Sequence, residues 1–235
     1  MLRGFYAAAS GMMAQIARQD VYANNLANAN SVGFRRGEIA VGQFTADLAA
    51  AVGSASPSAG GAAATEAGLD LSQGPLTSTG RSLDLAINGP GFFTIQTPHG
   101  LAYTRDGRFL LDSQRRLITQ QGYPVLGEQG PLPLPSTDFS VSATGEITCQ
   151  GKVVGKLRLM TPVNPRPLGG NTYGATAAKP ATQSTVAQGM LEQANVNAIE
   201  EMGRIMNGYR LYEANATALR YQDETLGTLM KVVEK

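Results

Sequence analysis

The chain has 235 residues, with 19 Lys and Arg against 18 Asp and Glu and a formal charge of +1. A balance this close to neutral gives no general attraction for polyanions, and the Arg35-Arg36 and Arg115-Arg116 pairs are too isolated to make a basic patch, so nucleic acid is not an expected partner. One Cys (Cys149) and one His (His99) exclude an internal disulfide and the Cys- or His-rich metal sites, and no metal or other cofactor is expected.

From the N-terminus, Leu2, Phe5, Ala9, Met12, Ile16, Ala23 and Leu26 recur in steps of three and four, predicting a helix over residues 2–28 with one apolar seam. Asn24, Asn25, Asn28 and Asn30, crowded before Gly33, end it, because Asn and Gly favour turns over helix interiors. The opening Met1-Leu2-Arg3-Gly4 passes into this alternation without a cleavage site, so no signal peptide is expected. No window reaches the roughly 18 uninterrupted apolar residues of a spanning helix, so neither is direct membrane insertion.

Residues 46–68 are small, nearly uncharged and of low complexity, as in a flexible connector; a short Ala-rich helix over 45–52 is the alternative. After Gly74 the period changes. Leu83 to Ile87, Gly91 to Ile95 and Leu101 to Thr104 read as strands, with Asp106-Gly107 as a hairpin dipeptide. Arg108 to Leu111, Arg116 to Thr119, Tyr123 to Leu126, Phe139 to Ser142, Glu146 to Cys149 and Lys152 to Met160 continue the series. Strands this short, punctuated by Gly and Pro, predict an antiparallel all-β domain inserted between helical ends.

At the other end, Asn197 followed by Glu200 reads as a capping box. Ala198, Met202, Ile205, Tyr209, Tyr212, Ala216, Leu219, Leu226, Met230 and Val233 then hold one heptad register, with Asp223 the single polar break. The fold class predicted is α+β, with the N- and C-terminal helices paired in a coiled coil. Burying one narrow seam does not offset the entropy of ordering so long a helix, and Gly203, Gly208 and Gly227 each weaken it by up to about 1 kcal/mol. The terminal helices are therefore expected to become rigid only when neighbours cover them.

Chemistry is sparse. His99, in Thr97-Pro98-His99-Gly100, reads as an exposed turn residue with no nucleophile to serve, and Cys149 as a small buried side chain. Gly89-Pro90-Gly91 lacks the spacing and helix of a phosphate loop, and Asp106 and Asp112 lack the alternating oxygen ligands of a calcium loop, so both read as solvated turn carboxylates. No enzyme is expected. A glycan-binding β module, using Tyr103, Tyr123 and Phe92-Phe93, is the competing reading.

Several motifs in order carry a resemblance: Ala23-Asn24-Asn25-Leu26-Ala27-Asn28-Ala29-Asn30 with Gly33-Phe34-Arg35-Arg36; Gln73-Gly74-Pro75-Leu76; Leu83 through Phe93; Tyr103-Thr104-Arg105-Asp106-Gly107-Arg108-Phe109; Gly122-Tyr123-Pro124-Val125-Leu126-Gly127; Gln188-Gly189-Met190-Leu191-Glu192 with Asn195-Val196-Asn197; and Tyr212-Glu213-Ala214-Asn215. Over nearly its whole length the chain resembles the flagellar axial proteins, specifically the basal-body rod proteins related to the hook protein. The resemblance implies a structural subunit, exported unfolded through the flagellar type III apparatus, that assembles helically into the periplasmic rod and transmits torque from motor to hook. Its partners would be copies of itself, neighbouring rod proteins, the export apparatus and periplasmic ring proteins. By the same resemblance residues 1–30 form an N-terminal coiled-coil helix, 31–73 an extended connector, 74–189 the β domain and 190–235 a C-terminal coiled-coil helix. The assembly interface would use Leu2, Phe5, Ala9, Met12, Ile16, Leu26, Met202, Ile205, Tyr209, Tyr212, Leu219, Leu226, Met230 and Val233. Gln114-Arg115-Arg116 departs from the family pattern at one turn. The short chain and Ala/Ser-rich connector favour a proximal-rod over a distal-rod member.

Overall fold

The computed structural model describes residues 2–43, 62–136 and 138–233. Within them the chain is α+β and divides into two units. The first holds helix α1 (Leu2–Ala27), strand β1 (Gly37–Gln43), most of strand β2 (Ala62–Leu69) and helix α2 (Ala198–Val233); the second holds residues 28–36 and 68–196.

In the first unit α1 runs on through Asn24 and Asn25 and ends at Ala27, just before Asn28 and Asn30. Asn197 caps α2, its Oδ1 accepting the Ile199 N–H at 3.1 Å and its carbonyl accepting the Glu201 N–H at 3.0 Å. Glu200 does not close the box; its carboxylate lies 4.0 Å from Arg204. The two helices run side by side in opposite directions: Gly11 meets Asn215, Gly208 meets Gln15 and Gln19, and Asn25 reaches Glu201. β1 starts against α1, with the Asn25 side chain accepting the Gly37 N–H at 2.8 Å and donating to the Gly37 carbonyl at 3.0 Å. The connector expected over 46–68 is corrected at its end, since residues 62–69 form a strand paired with β1. A backbone ladder needs no large side chains, so small residues suffice. Residues 44–61, including the alternative helix over 45–52, lie outside the described residues.

The second unit begins with β3 (Leu76–Ser78), β4 (Leu85–Asn88), β5 (Phe92–Thr97) and β6 (Gly100–Thr104). Two short ladders follow, β7 (Leu110–Leu111) with β8 (Leu117–Ile118) and β9 (Leu126–Gly127) with β10 (Gly130–Pro131); then a three-stranded sheet of β11 (Phe139–Val141), β12 (Glu146–Cys149) and β13 (Lys152–Lys156). The last strands are β14 (Leu159–Val163), β15 (Arg166–Gly169), β16 (Thr172–Gly174), β17 (Ala177–Pro180), β18 (Thr185–Gln188) and β19 (Met190–Glu192). Six strands make one antiparallel sheet in the order β15-β16-β6-β5-β14-β17. Its centre is covered on both faces. Phe93 and Ile95 join Leu85, Phe109, Leu117 and Ile147 in the main core, with Phe93 and Phe109 edge-to-face at 5.0 Å. Phe92, one residue out of phase, packs on the opposite face with Tyr103 and Tyr173. β18 on β4 and β19 on β3 close the unit, so residues 190–192 are strand and the helix starts only at Ala198.

His99 is exposed in the two-residue turn between β5 and β6, and Cys149 is buried in β12, as expected. Asp106-Gly107 is corrected: it is not the tip of a hairpin. Asp106 is buried, with its carboxylate held by Arg108 at 2.7 and 3.0 Å, and the Gly107 carbonyl accepts the Leu85 N–H at 3.1 Å. The backbones pass so closely that a Cβ on Gly107 would fall 1.6 Å from the Leu85 oxygen. Gly107→Ala should accordingly destabilise the full chain by at least about 3 kcal/mol, whereas Gly203→Ala, where the added Cβ meets nothing within 4 Å, should be neutral or stabilising by up to about 1 kcal/mol. Thermal unfolding of the two variants measures both.

Candidate assembly surfaces

The buried side of α2 carries Glu201, Ile205, Gly208, Tyr212, Asn215, Leu219 and Gln222, alternating steps of four and three; Glu201 and Gly208 are buried and the others half-buried. On α1 the corresponding positions are Gly11, Ala14, Arg18, Val21 and Asn25. Small residues let the helices approach closely, and polar ones satisfy each other. Asn25 Nδ2 donates to Glu201 at 3.4 Å, Arg204 bonds the other Glu201 oxygen at 3.2 Å, and the Arg204 guanidinium lies 5.9 Å from the centre of the Tyr22 ring.

This face and the sequence seam share Ile205, Tyr212 and Leu219 but not the positions between. Met202 and Tyr209 stay 51% and 57% exposed, while their neighbours Glu201 and Gly208 turn inward. Ile16 is exposed on α1, and Ala9, Met12 and Leu26 are half-buried. The side chains of Leu2, Phe5, Leu226, Met230 and Val233 lie outside the described residues. One residue is about 100° of helix turn, so the two patterns are adjoining faces with a common spine. The outer one is apolar: Ile199, Met202, Met206 and Tyr209, in steps of three, four and three, are all exposed.

In the second unit the charged residues converge instead. Glu192 is fully buried at the end of β19; its Oε1 accepts from Arg35 at 2.7 Å and from the Gly74 N–H at 2.9 Å, and its Oε2 accepts from Arg105 at 2.7 Å. Arg35 and Arg105 are equally buried, lying 5.8 and 4.8 Å from the centre of the Phe92 ring. Arg105 also donates to the carbonyls of Ile87 and Gly89, and the Arg35 N–H donates to the Tyr173 hydroxyl at 2.9 Å. Burial pushes the Arg105 guanidinium down to about 10, against the pull of Glu192, and pushes the Tyr173 phenol up. Arg105 remains charged at neutral pH, so one carboxylate offsets two cations. Gly33 seats the Arg35 segment: at a φ of 70° it places its backbone so near Arg105 that a Cβ would fall 2.3 Å from the Arg105 carbonyl carbon.

The sequence reading missed this centre. Its only signal was a set of single charges beside Gly or apolar residues, at Phe34-Arg35, Thr104-Arg105 and Leu191-Glu192, whose pairing needs the fold. The ring residues proposed for glycan stacking are displaced from that role: Phe92, Phe93 and Tyr103 are core, and Tyr123 is half-buried against it. Asp112 is half-buried, with its carboxylate accepting the Arg116 N–H at 2.7 Å and the Arg116 Nε at 2.8 Å, which holds its carboxyl below the usual range. Asp106, expected in solvent, is buried.

Glu192→Gln keeps the shape but leaves two buried guanidiniums without their counter-charge, and should cost about 3–5 kcal/mol in urea unfolding of the full chain. Arg116→Ala, on the turn surface, should cost under about 1 kcal/mol.

Three family models match along the chain in order: Flagella basal body rod protein at residues 5–35, the Flagellar hook protein FlgE/F/G D1 domain at 86–149, and the Flagellar basal body rod FlgEFG protein C-terminal at 187–232. Among curated relatives, flagellar basal-body rod protein FlgF of Rhizobium meliloti is 36% identical, aligned over 100% of this chain and 98% of its own. FlgF of Caulobacter vibrioides is 34% identical over the same shares, and FlgG of Bacillus subtilis 32% identical over 99% of each chain.

Proposed function

The chain belongs to the flagellar basal-body rod protein family, the structural proteins of the flagellum basal body, and from that membership we propose that it polymerises helically through α1 and α2 to carry torque from motor to hook. The observation that carries this reading is the exposed stripe of Ile199, Met202, Met206 and Tyr209 beside the face that α2 turns inward. A helix with an apolar face in solvent gains about 1.5–3 kcal/mol for each large side chain that a neighbour covers. The proposed contacts form a coiled coil in which the spine of Ile205, Tyr212 and Leu219 serves both faces, with Ile16 contributing from α1. Neighbouring rod proteins and further copies of this chain are the proposed partners, with export through the flagellar type III apparatus and contact with periplasmic ring proteins. A proximal, FlgF-type position is the preferred reading, on the short chain and its Ala/Ser-rich connector.

The test is rod assembly and swimming in cells that express only the variant chain. Met202→Glu combined with Tyr209→Glu should abolish both while shifting the stability of the purified chain by less than about 1 kcal/mol, because both side chains are already in water. Deleting residues 198–235 should also abolish assembly, and Arg116→Ala should leave swimming unchanged. Normal motility of the double variant would refute this interface.

A further inference from the structure

The sequence contains two Asn-Gly pairs, Asn88-Gly89 and Asn207-Gly208. Asn-Gly is the dipeptide most prone to deamidation, because Gly leaves the following backbone nitrogen unhindered. Asn207-Gly208 sits inside α2, where the helix ladder holds the Gly208 nitrogen. Asn88 ends β4 with its side chain exposed, and the backbone leaves the strand at Gly89 with a φ of 114°. Exposure, sequence and a strand end would together make it the reactive pair of the two.

The chain is clamped there from two sides. The Gln73 side chain spans the turn, its Oε1 accepting the Gly89 N–H at 3.0 Å and its Nε2 donating to the Ile87 carbonyl at 3.2 Å. Arg105 reaches the same two residues, donating to the Ile87 and Gly89 carbonyls. We propose that Asn88 is a deamidation site gated by Gln73: silent while Gln73 holds the Gly89 N–H, and reactive when that contact opens.

The chemistry needs no co-reactant but water. The Gly89 nitrogen loses its proton and attacks Asn88 Cγ; an N–Cγ bond forms, the Cγ–Nδ2 bond breaks, and the amide nitrogen leaves as ammonia. Water then opens the resulting succinimide at either carbonyl, giving Asp or isoaspartate. The nitrogen cannot turn toward Cγ while its hydrogen points at Gln73, so the rate follows the population in which this contact is open. Isoaspartate would add a methylene to the main chain between the two carbonyls that Arg105 holds, so the lesion would disturb the guanidinium that Glu192 neutralises.

The experiment is incubation of the full-length protein at mildly alkaline pH, with Asn88 and Asn207 followed separately by peptide mass mapping. Asn88 should stay intact in the native wild type and deamidate readily in urea. In native Gln73→Ala its rate should rise about fivefold, the effect of losing one hydrogen bond on an opening equilibrium, while Asn207 stays at its wild-type rate. Gln73→Glu keeps an acceptor for the Gly89 N–H and should stay slow. The proposal is overturned if native Gln73→Ala matches wild type at Asn88, if native wild type reacts as fast as in urea, or if both asparagines accelerate together, which would mark global unfolding.

Discussion

Glu192 holds together three stretches of chain that are far apart in sequence. Arg35 arrives from the segment after α1, Arg105 from the end of β6, and Glu192 from the strand that precedes α2. None of the three charges is tolerable alone at this depth, and the two 2.7 Å contacts exist only when all three segments are in place. Residues 28–36 consequently belong to the β unit although β1, which follows at once, does not. The Gly33 N–H donating to the Glu192 carbonyl and Asn195 Oδ1 accepting the Arg36 N–H add main-chain ties to the same junction. A fragment cut at 74–189 would retain Arg105 without its carboxylate. The inserted domain is thus complete only with the flanks that a purely linear division assigns to connector and helix.

The helical unit follows the opposite rule. Its inward face sets Gly11, Ala14, Gly208, Asn25 and Glu201, residues that allow close approach and specific pairing, beside the half-buried Val21, Ile205, Tyr212 and Leu219. Polar pairs such as Asn25 with Glu201 fix the alignment of the two helices at little net gain in stability. On the adjoining face four large apolar side chains, Ile199, Met202, Met206 and Tyr209, are left to solvent. This exposed stripe is the surface that the proposed assembly would cover.

Periodicity made the helices and the central strands legible. Leu85 to Ile87, Phe92 to Ile95 and Leu101 to Thr104 alternate or run apolar because the sheet buries them, and the long heptad series marks α2. The strands after Asn164 carried no such signal: β15 is exposed at every position, and β17 is Ala, Ala, Lys and Pro. They are strands because neighbouring backbones offer them a ladder, which leaves no mark on composition. The heptad seam of α2 lies one residue away from the inward face at Met202 and Tyr209, because a hydrophobic pattern identifies the stickiest side of a helix and not the side its own chain occupies. Asp106-Gly107 misled for a related reason. A dipeptide that favours a tight turn also permits close backbone contact, and here Leu85 uses the second property.

The β unit carries a hazard of unwanted association in the open edges of its sheets. β15 and β17 flank the six-stranded sheet, and unpaired N–H and C=O groups along an edge recruit strands from other chains. Pro167 in β15 and Pro180 in β17 remove donors from those edges, while Arg166 and Lys179 place charge on them. β13, at an edge of the three-stranded sheet, begins at Lys152 and ends at Lys156, bracketing the exposed Val153. Two strands brought edge to edge would oppose like charges and lack ladder bonds at the prolines. Edge pairing is thereby weakened at the same chain positions that carry no core residues, which keeps these edges from competing with the proposed assembly through the apolar stripe on α2.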